Sequence, residues 1–329
     1  MKPIIGVTMG DPAGVGPEII AKALMDKGIL ELCRPVVVGS RAVMEEVLGI
    51  CGLDANINVL DEKEFLYKDG SVNMINIDNV DMKSLIRGKV SGGCGRAAFE
   101  YIEKAVELAL DGKVSAIATA PVNKESLRAA NVPYIGHTEM LEKLTGVTNP
   151  LTMFQVEGLR IFFLTRHVSL RKACEMVTDD RVYEMIKRSF AAIKRLGVED
   201  PILAVAALNP HGGEHGLFGD EEENEIKPAI KRAADEGYNV VGPLPADSVF
   251  HFAAIGRYDA VISLYHDQGH IAAKMLNFEK TVSITNNLPF LRTSVDHGTA
   301  FDIAGKGIVS EASMIEAIRL AGEYALTYL

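Results

Sequence analysis

Short β-branched runs separated by longer helix-patterned stretches constrain this chain more than any other feature. The runs fall at 4–7, 35–38, 57–60, 73–77, 117–119, 202–206, 260–264 and 282–285. Strands alternating with helices need both faces of a sheet covered, so the pattern predicts an α/β fold with a largely parallel sheet. Between two of the runs, Phe99, Ile102, Val106 and Ala109 recur at steps of three and four, one face of a helix packed on that sheet. The segments 151–156 and 159–164 flank Glu157-Gly158, a two-residue connection that predicts a β-hairpin. A hairpin cannot be a parallel crossover. This region therefore either extends the sheet antiparallel or forms an arm over a neighbouring subunit.

At 329 residues the chain exceeds one ordinary core and implies two subdomains, with no flexible linker to mark where they part. A net charge of -10 argues against nonspecific binding to nucleic acid or to anionic membranes, both of which need a basic surface. The start is too short an apolar run for a secretory signal, and no stretch approaches the roughly 18 apolar residues of a membrane span, so a cytoplasmic location is expected. Cys33, Cys51, Cys94 and Cys174 form no C-x-x-C pair and read as reduced, mostly core residues.

Chemistry-bearing residues crowd between Asp259 and Lys306, with others at strand ends upstream. His167, His211 and His266 each follow a strand-like run at its carboxyl end, where open α/β sheets place ligands. Three imidazoles so placed predict a divalent-metal site with open positions, or else three structural histidines. His215 and His270 each stand four residues from a proposed ligand and compete with it, whereas His251 reads as packed or capping. Asp267 and Asp247 can orient a histidine or accept a proton, and Asp247 can equally cap a helix starting at Ser248. Lys274 and Arg292, with the loop around His137 and Thr138, can bind a phosphate or carboxylate. Gly10 to Glu18 form a glycine-rich loop between the first strand and a helix, either an anion or cofactor cradle or simply a tight turn. It is neither a dinucleotide fingerprint nor a P-loop. Gly93, Gly95 and Ala98 match G-x-G-x-x-A, but no strand precedes them, so they read as a loop entering a helix.

Six ordered motifs together carry a family resemblance: GDPAGVGPE (10–18), GHTE (136–139), LNPHGGEHGLFG (208–219), GPLPAD (242–247), YHDQGH (265–270) and RTSVDHGTAFDIAG (292–305). Nearly end to end, the chain resembles the 4-hydroxythreonine-4-phosphate dehydrogenase family of vitamin B6 synthesis, including relatives that act on D-threonate and D-erythronate 4-phosphates. The resemblance implies two interleaved α/β/α subdomains like those of isocitrate and isopropylmalate dehydrogenases, split near 1–135 plus 280–329 and 136–279, with the active site in the cleft between them. It implies a homodimer with metal ligands His167, His211 and His266 contributed across the interface. Substrate-binding positions are His137, Thr138, Lys274, Ser283 and Arg292, and Asp247 and Asp267 are the acidic residues of the site. The implied nucleotide loop includes His297, Gly298 and Asp302. A carboxylate at Asp302 would accept ribose hydroxyls and repel a 2′-phosphate, so NAD is expected over NADP.

Where the vitamin B6 enzymes have a substrate-contacting asparagine, this chain has Ser283. The expected reaction is NAD-dependent oxidative decarboxylation assisted by zinc, magnesium, cobalt or manganese. Its first candidate substrate is 4-phosphohydroxy-L-threonine, for pyridoxal phosphate biosynthesis. D-Threonate or D-erythronate 4-phosphate, giving dihydroxyacetone phosphate, is the rival. A phosphate acetyltransferase-like transferase, which shares the general fold but needs no nicotinamide, and a non-catalytic binding protein are the alternatives of other classes.

Overall fold

A computed structural model describes residues 2–328. Its strands are β1 (Ile4–Thr8), β2 (Arg34–Gly39), β3 (Asn56–Val59), β4 (Ser71–Asn76), β5 (Ala116–Thr119), β6 (Leu151–Val156), β7 (Leu159–Phe163), β8 (Leu203–Ala206), β9 (Val240–Leu244), β10 (Ala260–Ser263), β11 (Val282–Asn286) and β12 (Leu291–Val295). All eight predicted runs are strands, and helices alternate with them as an α/β fold requires. The chain divides into two compact units, Met1–Pro150 with Asn287–Leu329, and Leu151–Asn286. It thus changes unit at 150/151 and 286/287, where the sequence reading places the changes at 135/136 and 279/280.

In the first unit the strand order is β3-β4-β2-β1-β5-β12, every pair parallel. The helix Gly92–Leu110 lies against it, capped by Ser91, whose Oγ accepts the Cys94 N–H at 3.4 Å. Its buried stripe runs through Ala98, Tyr101, Ile102, Ala105 and Val106; Phe99 and Ala109, expected on that stripe, sit at its edge. The glycines of the G-x-G-x-x-A match lie inside this helix rather than in a loop before it. A Cβ at Gly95 would fall 2.0 Å from the Ser126 carbonyl oxygen, so the glycine serves close helix packing.

The second unit orders its strands β11-β6-β7-β10-β8-β9. The predicted hairpin is present as β6 and β7, and it is internal rather than an arm. β6 pairs antiparallel with β11, β7 pairs parallel with β10, and β6 is buried throughout. β10 and β8, then β8 and β9, continue in parallel. Phe154, Ile161, Phe163, Val249, Val261 and Ala273 belong to one core cluster, each worth up to about 1.5–3 kcal/mol for the larger side chains removed from water. The helix His266–Leu276 rests on this core through Gly269. A Cβ there would lie 2.6 Å from Phe163 Cε1, so only glycine lets the helix sit this close to β7.

All four cysteines are free, Cys33 and Cys94 buried and Cys51 and Cys174 partly so. Among the described residues no helix is long and apolar enough to cross a membrane.

Candidate active site

In the second unit β7, β10 and β8 are adjacent and parallel, so their carboxyl ends share one edge. His167 follows β7 through Arg166, whose Nη1 donates to Thr152 Oγ1 at 2.7 Å and whose guanidinium is pulled below its ordinary range by burial. His266 opens the helix after β10. Its ring and that of His167 have centroids 6.0 Å apart. An imidazole centroid lies about 3.2 Å from a zinc-like ion it binds, so two rings on one ion stand no more than ~6.4 Å apart, and this pair is within that reach.

His266 Nδ1 is 2.7 Å from Asp267 Oδ1, which leaves Nε2 as the ring's ligand edge and fits the carboxylate–histidine arrangement of metal sites. Behind it His270 stacks at 3.7 Å, packs against Phe154 and Phe163, and has its own Nδ1 2.8 Å from the His266 carbonyl oxygen. Gln268 fixes this corner: its Oε1 accepts the Leu264 N–H at 2.8 Å while its Nε2 donates to the Ala207 carbonyl at 2.8 Å, tying the start of the helix to the end of β8.

His211 lies on the loop after β8, where residues 211–215 all have positive φ, among them the non-glycines His211 (54°), Glu214 (45°) and His215 (57°). Such a run persists only where surroundings over-determine it, and it marks functional loops. Here the buried Glu222 does so: Oε1 accepts the N–H groups of Leu208 and Asn209 at 2.8 and 2.7 Å, and Oε2 accepts Asn209 Nδ2 at 2.8 Å. His215 is 91% exposed at its side chain, 3.6 Å from Glu223. The imidazole set suits a borderline divalent ion. Still, among the described residues no three His, Cys, Asp or Glu side chains are gathered for a metal, so His211 is not brought together with the pair.

Asp247 is exposed in the first turn of the helix Ala246–Ala254; Pro245 holds the N-cap position, so Asp247 is not the cap. His251 is exposed on the same helix rather than packed. Lys274 stands 4.8 Å from the Phe278 ring centroid, and its spacing from His266 and His270 puts all three toward one side of their helix. Ser283 is half-buried on β11, opposite Phe154 of β6.

The first unit holds a second assembly. Arg292 on β12 is 5% exposed, and its Nε and Nη2 donate to Thr119 Oγ1 of β5 at 3.0 and 2.7 Å. Burial pulls its guanidinium down to about 9, still high enough to stay charged at neutral pH. His137, at the start of the helix His137–Thr145, is pushed well below the ordinary histidine range, first by burial and then by the Arg292 charge. Its Nε2 is buried with no hydrogen-bond partner. The neutral imidazole with its orphaned nitrogen, the buried cation beside it and a helix N-terminus with no side-chain cap are groups whose chemistry suits an anion. Thr138 occupies the next position, half-buried, in the first turn of that helix.

His297 Nδ1 lies 2.9 Å from the Gly298 carbonyl oxygen, and Gly298 and Asp302 are exposed on the irregular stretch between β12 and the helix Ala312–Tyr324. The Gly10–Glu18 stretch is not an open cradle. The N–H groups of Asp11, Ala13, Gly14 and Val15 donate to Pro121 O, Asp11 Oδ1, Asp11 O and Thr299 O at 2.9–3.0 Å, so they face protein acceptors. Thr119, Glu222 and Gln268 carry no signal in periodicity or spacing, because each acts through a bond to a distant segment.

The solved structure of 4-hydroxythreonine-4-phosphate dehydrogenase from Klebsiella pneumoniae is similar throughout, with a TM-score of 0.91 and 42% identity over 99% of this chain and 98% of that one. The fold is thus that of an α/β dehydrogenase class. Higher identities are found to two proteins named "Putative D-threonate 4-phosphate dehydrogenase": 60% for one from Fusobacterium nucleatum, covering 99% of this chain and 98% of that protein, and 57% for one from Clostridium botulinum, covering 98% and 97%. The chain belongs to the family described as pyridoxal phosphate biosynthetic protein PdxA, which matches residues 31–321.

Proposed function

We propose that this protein is a dehydrogenase that oxidatively decarboxylates a 4-phosphorylated hydroxy acid, with D-threonate 4-phosphate as the substrate. The observation that carries the substrate is Ser283, half-buried on β11. A serine hydroxyl pairs readily with a substrate hydroxyl, but it lacks the amide's two donors and its carbonyl acceptor at the amino-acid end of 4-phosphohydroxy-L-threonine. The naming of the relatives at 57–60% identity supports the same order, which reverses the ranking expected from the sequence. The vitamin B6 substrate is the second reading, supported by the 42% identical solved structure.

Arg292, His137 and Thr138 bind the substrate phosphate, and Lys274 and Ser283 bind its carboxylate and hydroxyl end. His167, His211 and His266 hold a divalent ion. When bound, that ion supplies a lowered hydroxyl pKa and stabilises charge on the oxygen as carbon dioxide departs. That only two of the three imidazoles are near one another within one chain supports a homodimer in which both subunits contribute ligands. Asp267, tied to His266, keeps that ring's tautomer, and either it or Asp247 takes the proton of the substrate's C3 hydroxyl, directly or through water. The loop containing His297, Gly298 and Asp302 would hold NAD, which would supply the hydride acceptor for the substrate's C3. The 3-keto acid then loses its carboxylate as carbon dioxide, which for D-threonate 4-phosphate leaves dihydroxyacetone phosphate. A cytoplasmic site of action is consistent with this chemistry.

The test is NADH absorbance with D-threonate, D-erythronate and 4-hydroxy-L-threonine 4-phosphates. The expected order has kcat/KM for D-threonate 4-phosphate at least tenfold above the amino acid, about 1.4 kcal/mol in transition-state binding, and Ser283→Asn narrowing the gap. A higher kcat/KM for 4-phosphohydroxy-L-threonine reverses the assignment.

A further inference from the structure

Glu18 closes the glycine-rich motif and sits in the first turn of the helix Gly16–Ala23, with no exposed surface. Both of its oxygens are engaged by one distant stretch: the Gly305 N–H donates to Oε1 at 2.6 Å and the Gly307 N–H to Oε2 at 2.7 Å. The same motif and the helix it opens hold that stretch at other points. Val15 N–H donates to the Thr299 carbonyl at 3.0 Å, Lys22 Nζ donates to the Val309 carbonyl at 2.7 Å, and a Cβ at Gly14 would come within 2.9 Å of Thr299 Cβ. Gly305 and Gly307 have φ of 80° and 68°, and Ala300 has 40°, so the backbone between them is irregular, with local turn bonds from Ile303 N–H to the Ala300 carbonyl at 3.1 Å and from Lys306 N–H to the Ile303 carbonyl at 3.3 Å.

A fully buried carboxylate is costly unless charge-assisted bonds satisfy it. A structural turn could be filled more cheaply by an apolar side chain. Two parallel bonds from one rigid helix to two glycine amides instead fix the height and tilt of the loop that carries Asp302.

We propose that Glu18 is a positioning residue for the nicotinamide cofactor: through Gly305 and Gly307 it sets the loop that presents His297, Gly298 and Asp302 to the nucleotide. The inference rests on the reading of that loop as the nucleotide site. It also gives the glycine-rich motif a role. The motif's backbone N–H groups are spent on protein acceptors, and its carboxylate shapes the neighbouring segment.

Glu18→Gln tests this. The amide keeps one acceptor but turns an NH2 donor toward the other glycine N–H, so one anchor is lost. Binding is read in the full-length protein by NADH fluorescence and by calorimetry with ADP-ribose. The expected result is a rise of about tenfold or more in Kd for both, corresponding to one hydrogen bond to a charged group. KM for the phosphorylated substrate stays within about twofold, and amide exchange quickens at Gly305 and Gly307; a general loss of structure would move both substrates together. Unchanged Kd values in a folded Glu18→Gln protein overturn the proposal. Asp302→Ala separates the two levels: if it weakens ADP-ribose while Glu18→Gln does not, only the role of Glu18 falls, and if neither changes Kd, the loop is not the nucleotide site and both fall. Should Glu18→Gln not fold, Lys22→Met removes the helix's milder tether at Val309; a severalfold rise in cofactor Kd alone supports the proposal, and no change overturns it.

Discussion

His137 and Arg292 form a pair in which burial works against both charges, and the imidazole yields because guanidinium holds its proton far more firmly. The folded pKa of His137 is lowered, so as pH falls the unfolded chain takes up a proton at this residue before the folded one does. Stability from this group is therefore complete above the unfolded value of about 6.5 and is lost as pH falls below it, by up to about 1.4 kcal/mol per pH unit. His137→Asn should show a shallower loss of unfolding free energy than the parent between about pH 6.5 and about pH 5. An equal change in unfolding free energy between the two pH values for parent and variant, measured by urea melts, would remove His137 as the cause. The residues of this pair were legible as motif members, because a cation and a histidine near glycine turns stand out in an acidic chain. The bond from Arg292 to Thr119 was not legible, since a threonine on a strand looks the same whether or not an arginine folds back onto it.

At the level of elements, the eight apolar runs announced themselves, whereas β9 and β12 did not. β9 contains Gly242 and Pro243, residues that disfavour a strand, and it is tolerated as one because it pairs only with β8 in its unit. β12 reads Leu-Arg-Thr-Ser-Val, too polar for a buried strand until each polar group finds its partner: Arg292 on Thr119 and Thr293 Oγ1 on the Ala317 carbonyl. The loop of His211 was similarly opaque, since nothing in HGGEH shows that a glutamate eleven residues on is buried beneath it. Glu222 sits at a π-helical turn, a geometry frequent at functional sites. Glu222→Ala leaves the Leu208 and Asn209 amides unsatisfied and should cost about 1–3 kcal/mol of unfolding free energy. It should also weaken divalent-ion binding by about 10-fold or more, as loss of an orienting residue does. A titration showing unchanged affinity in a folded variant would separate the loop from the ion.

For the molecule as a whole, a resident divalent ion is a claim that removal can settle. Prolonged chelation should abolish NADH formation and leave the chain folded, and zinc, cobalt, manganese or magnesium should restore turnover; full activity after chelation would exclude the ion from the reaction. The division into units has a temporal consequence. Leu151–Asn286 is one continuous segment, but the first unit lacks β12 and the helix Ala312–Tyr324 until residues past 287 are made. During synthesis from the N-terminus the edge of β5 that will receive β12 has no partner from its own unit. At about 5–20 residues per second that interval is on the order of ten seconds. The later-made unit can thus be complete while the earlier one still waits on the ribosome, so pauses or truncations before residue 287 should expose an unpaired strand to chaperones and proteases.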